Sequence, residues 1–141
     1  MLASPESVVF RRLVTAPAVA AAVEFRVFPI AVPKGASFPF IVYKRQNIIR
    51  EPHLAGPDYR PMVSLQVAMW AMTHDAARVL ADDVRIALDG HITDVLGCRI
   101  EDMRLVSETD DYLDPATVGA QLPPAYEVRQ LYQIRWVESA E

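Results

Sequence analysis

His53, His74 and Cys98 have the chemistry to hold a soft metal or to attack a substrate. Zinc needs converging ligands, which short spacings such as C-x2-C or H-x3-H usually announce. These three fall on an expected loop, a helix start and a strand, with no such spacing among them, so no metal site is expected. A Cys98 nucleophile would need His53 or His74 beside it as base. Its parity in an alternating strand points it toward the core, where cysteines are usually inert. Serine catalysis fares no better, since there is no G-x-S-x-G elbow and Ser64 lies within a strand pattern. No phosphate-cradling G-x-x-x-x-G-K-[ST] or G-x-G-x-x-G loop exists, and Lys34-Gly35 is a lone turn. The chain is read as a non-enzyme with no cofactor.

Two other constellations call for a weighing of readings. Glu108, Asp110, Asp111 and Asp114 could gather Mg²⁺ or Ca²⁺, but they lack the regular ligand positions and central glycine of an EF-hand loop. A solvated turn is the simpler reading. Tyr43 and Trp70 are expected to share an open sheet face with Arg45, Arg129 and Arg135. Rings and cations so placed could stack single-stranded RNA. The Gly and aromatic pattern of such platforms is missing, and Tyr, Trp and Arg equally mark protein interfaces, which is the more economical reading.

The elements that position these residues must fit into 141 residues, most simply one domain spanning 1–141, able to bury about 70% of its unfolded surface. A hydrophobic fraction of 52% and a charged fraction of 23% are those of an ordinary globular protein. The net charge of -4 argues against a surface that grips duplex phosphates, which needs clustered Lys and Arg. A single cysteine excludes an intrachain disulfide and fits a reducing compartment. Arg11 and Arg12 precede an apolar run, Leu13 to Val23, that imitates a secretory leader. Ser4-Pro5-Glu6 reads as a helix start and Pro17 interrupts the run, so two short helices are expected instead. No run approaches the ~20 apolar residues that span a bilayer.

Arg26 to Pro29 is expected as a brief strand, kept to an edge by Pro29, Pro33 and Pro39, which lack donors for a ladder. Phe40 to Ile48 follows as a long strand with Phe40, Val42 and Ile48 on one face and Tyr43, Arg45 and Asn47 on the other. After a polar loop from Glu51 to Arg60, Pro61 to Ala71 alternates most clearly, with Val63, Leu65, Val67, Met69 and Ala71 inward. Thr73 caps a helix from Asp75 to Leu88 whose apolar arc comprises Ala76, Ala77, Leu80, Ala81, Val84, Ala87 and Leu88. Val79 and Ile86 fall outside that arc on one flank. They either widen the core contact or face a neighbouring copy of the chain. Cys98 to Thr109 is expected as a strand with a bulge near Glu101–Asp102, where the apolar parity changes. A long acidic loop from Asp110 to Pro124 leads to a last strand, Tyr126 to Val137, with Val128, Tyr132, Ile134 and Trp136 inward. The sum is an α+β domain: a mainly antiparallel sheet of about four strands, two to three helices on one face, the other face free.

This order of pieces resembles the tail completion proteins, or tail terminators, of long-tailed phages and gene transfer agents. The likeness is carried by Val27-Phe28-Pro29, Pro33-Lys34-Gly35, Pro39-Phe40-Ile41-Val42-Tyr43, Leu54-Ala55-Gly56 and Val63-Ser64-Leu65-Gln66-Val67 through Trp70, then by the alanine-rich helix. The connection from Asp110 to Pro124 is longer and richer in proline than the family pattern. The resemblance implies a hexameric ring of the chain with itself at the head-proximal end of the tail tube. It would end tube growth and offer a head-attachment surface, its partners being the tail tube protein and a head-completion or connector protein. DNA would pass the lumen without specific binding, no membrane would be involved, and assembly would occur in the host cytoplasm. The competing reading is a head–tail adaptor or another stand-alone protein-binding module. Interface candidates are Val79, Asp83 and Ile86 on the helix, and Arg45, Trp70 and Arg129 on the sheet. Arg50, His53 and Tyr59 are candidates in the first long loop, and Asp110, Asp111, Tyr112 and Asp114 in the second.

Overall fold

The computed structural model describes residues 4–51, 54, 60–90, 93–95, 98–113 and 125–137, with the side chains of 93–95, 98 and 113 outside the description. Helix α1 (Pro5–Thr15) starts where expected, its Ser4 hydroxyl accepting the Ser7 N–H at 3.3 Å. Pro17 cannot continue the α1 ladder and instead opens α2 (Pro17–Val23). Val8, Val9, Leu13, Val19 and Val23 from these two helices are fully buried. The leader-like run is thus a pair of core helices.

The sheet contains β1 (Val27–Pro29), β2 (Phe40–Ile49), β3 (Met62–Ala71), β4 (Thr93–Val95), β5 (Cys98–Leu113) and β6 (Ala125–Val137). Their order is β1-β2-β3-β6-β5-β4. About four mainly antiparallel strands are expected, and the α+β class holds, but among the described residues the sheet has six strands and is mixed. The four long strands pair antiparallel, while β1 joins β2 in parallel and β4 adds a short antiparallel rung to β5. The brief strand expected at Arg26 to Pro29 is β1, whereas the three residues of β4 give too little periodicity to be read from sequence.

Helix α3 (His74–Leu88) is capped by the Thr73 hydroxyl, which accepts the Ala76 N–H at 3.1 Å. Gly90 follows at φ 76, a conformation that glycine adopts without steric cost, and its N–H bonds Met103. The three helices bury one sheet face against Val63, Leu65, Val67, Met69, Val128 and Ile134. Each such fully buried side chain contributes roughly 1.5–3 kcal/mol. Ala76, expected in the apolar arc of α3, is exposed.

Three strand expectations need correction. On β2 the faces are reversed: Ile41 and Tyr43 pack with the core, while Phe40 and Val42 look to the opposite side. A bulge between Arg45 and Asn47 then returns Ile48 to the core side. On β5 the bulge near Glu101 is present, between Ile100 and Asp102, and a second one lies between Leu105 and Ser107. That strand continues through Leu113, so Asp110, Asp111 and Tyr112 are ladder residues and not loop. Finally, the face opposite the helices is not left free. A strand parallel to its predecessor requires a return crossing, and residues 30–38 lie over that open face to make it.

Candidate interaction surfaces

The open face carries a groove of about 580 Å³ between the crossing segment and strands β2, β3 and β6. Its apolar wall is Phe38, Phe40, Val42, Ala68 and Trp70. Phe40 stacks on Trp70 with ring centroids 6.3 Å apart and lies 5.0 Å from Phe38, so the aromatics support one another. Lys34 and Lys44 stand at the rim, and Glu127 lies at the base, 4% exposed. Burial raises the Glu127 carboxyl above its ordinary value, against the pull of Arg129, whose guanidinium donates to it at 2.9 Å. At the lip stands Ile30, 72% exposed, with φ 67. A β-branched residue in the left-handed region costs about 1–2 kcal/mol. Its N–H is held by the Tyr43 carbonyl at 2.8 Å.

On the helix side, a polar network ties α3 to β5 and β6. Arg78 donates to Glu108 at 2.7 Å and to Asp110 at 3.2 Å, and faces Asp82 at 3.6 Å. Fully buried Gln130 donates to the Ala81 carbonyl and to Glu108, and accepts from the Tyr132 hydroxyl at 2.6 Å. Burial raises the Tyr132 phenol far above its ordinary value, so it stays a donor. His74 meets Asp110 at 3.0 Å and sets its ring edge-on to Tyr126, which in turn contacts Tyr112 at 5.0 Å. The His74 bond, with Arg78 behind it, holds Asp110 below the usual aspartate range. These carboxylates face cations already supplied by the protein, which makes the cluster a brace and not a metal cradle.

The expected interface residues scatter over several surfaces. Trp70 and Arg129 do share the open face, whereas Tyr43 and Arg45 lie on the helix side. Arg45 forms a bidentate pair with Glu6 of α1, 3.0 Å on its outer arm. Burial favours the protonated form of Glu6, but the Arg45 guanidinium outweighs it and leaves that carboxyl lowered. Val79 and Ile86 are 62% and 68% exposed, so they do not widen the core contact. Val79 and Asp83 border a shallow depression with Ala22, Pro39 and Ala76. Asp111 lies opposite Glu127 across the β5–β6 ladder. Arg50 is exposed at the end of β2. His53, Tyr59, His91, Asp114 and the 114–124 connection lie outside the described residues, as does the Cys98 side chain.

Sequence reasoning missed the groove. Its signal was available in the density of Phe28, Phe38 and Phe40 around three prolines, but nothing local says that the segment folds back over the sheet.

The family model described as "Tail completion protein gp17" matches residues 7–122, most of the chain. A chain in the solved "Virion of native gene transfer agent (GTA) particle" superposes with a TM-score of 0.73 at 15% identity. The match covers 92% of this chain and 91% of that one, which establishes a shared fold. No curated protein matches the sequence.

Proposed function

We propose that this chain, which belongs to the tail completion protein gp17 family, closes the head-proximal end of a tail tube as a hexameric ring of identical copies. The ring stops tube growth and gives the filled head a surface to bind. It works as a non-catalytic structural protein of the virion, with the tail tube protein on one side and a head-completion or connector protein on the other.

The family match over residues 7–122 carries this reading. The geometry supports it, because the two long connections emerge at opposite ends of the sheet. The β2–β3 connection lies beside Arg99, Arg135, Glu101 and Asp102, with Arg60 paired to Glu101 at 3.3 Å. The β5–β6 connection lies at the opposite end, beside Asp110, Asp111 and Glu127. A part that joins a tube to a head needs two such faces, and both connections are long, as contact loops are. The net charge of -4 suits a lumen that passes DNA without gripping it. The test is to make particles without the chain: tails of irregular length that carry no heads are expected. Tails of normal length joined to heads would refute the reading.

A further inference from the structure

A closed ring of identical copies joined head to tail needs two different patches on each copy, repeated at every joint. One is the groove on the open face, an aromatic slot of Phe38, Phe40 and Trp70. Lys34 stands in the Pro33–Ala36 turn of the crossing segment that walls it, and Lys44 on β2. The second patch is on the helical side of the sheet. Phe25, 78% exposed, stands on the turn that ends α2. Backbone bonds hold that turn: Glu24, at φ 56, donates to the Ala20 carbonyl at 2.8 Å, and the Arg26 N–H to Val23 at 2.9 Å. The Arg26 guanidinium also donates to the carbonyls of Ala22 and Pro39, at 3.3 and 2.9 Å. Ala22 and Pro39 wall the shallow depression beside α3, so Phe25 stands next to it. Asp75 and Asp83 border the same depression, about one turn before and after Val79 on one stripe of α3. Among the described residues, Lys34, Lys44, Asp75 and Asp83 form no ion pair.

We propose that Phe25 of one copy inserts into the open-face groove of the next, and that the crossing segment walling this groove settles into the first copy's depression. This contact rests on the ring reading above and names the two surfaces that would join. Two independent matches select a second copy as the occupant. An exposed aromatic on a held turn meets a slot of aromatic rings, the kind of anchor and pocket that carries binding energy. Two lysines without carboxylate partners meet two aspartates without cationic ones. The charges also set the direction of joining. Groove against groove would bring lysines together, and depression against depression would bring aspartates together, so only the head-to-tail contact is favoured. The patches lie on opposite sides of one sheet, so a copy seated by one keeps the other free for a third copy.

The test replaces Phe25 with photoreactive benzoylphenylalanine in assembled particles and sequences the crosslinked peptides. The expected product has the mass of a dimer of this chain, with position 25 joined to the 30–44 segment or to Trp70. Lys34→Glu in the same protein is expected to lower the crosslink yield about fivefold, equivalent to about 1 kcal/mol. Adding Asp83→Lys, which restores opposite charges at every joint, is expected to bring the yield back toward the parent's. A crosslink to a different virion protein, a crosslink elsewhere on this chain, no crosslink, or a double variant no better than Lys34→Glu overturns the contact. Counting copies of the unmodified chain per tail by quantitative mass spectrometry separates this from the ring reading. Several copies without the crosslink remove the contact alone, whereas one copy or none removes the ring and the contact with it.

Discussion

Asp110 shows how single side chains are tuned by neighbours that the sequence separates. Its carboxyl sits low because His74 and Arg78, both from the first turns of α3, converge on it. A group whose folded pKa is depressed binds its proton less tightly when folded, so the stability it contributes is present above the unfolded value and lost as pH falls. For Asp110 the loss begins below its ordinary value of 3.8 and for Glu6, lowered by Arg45, below 4.5. Asp110→Asn is therefore expected to lower the thermal midpoint at pH 7, by a margin that narrows as the pH falls below 3.8. A gap between the two proteins that is as wide at pH 3 as at pH 7 would contradict this assignment. None of these pairs was legible in the sequence. Asp110 read as a loop acid, and only the β5 ladder brings it over α3. Gln130 carries no local signal in the sequence, yet it is the buried centre of the brace between α3, β5 and β6.

Elements were legible where one face is wet and the other dry. The alternation in β3 and, apart from exposed Ala76, the apolar arc of α3 gave their faces, and the parity change in β5 located its first bulge. β2 failed for a physical reason. Phe40, Ile41 and Val42 all meet protein, because the crossing segment covers one side and the helices the other, so alternation stops carrying information there. The acidic end of β5 failed too, because it is held by side-chain pairs and hairpin hydrogen bonds, which leave no hydrophobic period. The flank of α3 was legible as an anomaly, since Val79 and Ile86 break its periodicity and are exposed. Ile86→Asp is expected to leave the monomer's denaturation midpoint within about 0.5 kcal/mol of the parent, as for other surface changes. It should weaken ring formation at the same time. Native mass spectrometry with an unchanged oligomer distribution would show that this flank faces no neighbouring copy.

At the scale of the whole molecule, the account rests on a sheet with a helical side, a grooved side and a long connection at each end. Composition foretold a globular domain, the pattern of elements its α+β class and the order of pieces its family, but none of these shows which connections share an end of the sheet. That follows from the strand order, which puts the β2–β3 and β5–β6 connections at opposite ends of one sheet. Such a body can be stacked between two different assemblies and still contact copies of itself sideways. Electron microscopy of tail tubes assembled with this chain tests that arrangement most directly. A sixfold ring of the protein at one end of each tube, absent from the other end and from the tube wall, is the expected image. Single copies along the tube, or no density at either end, would contradict it.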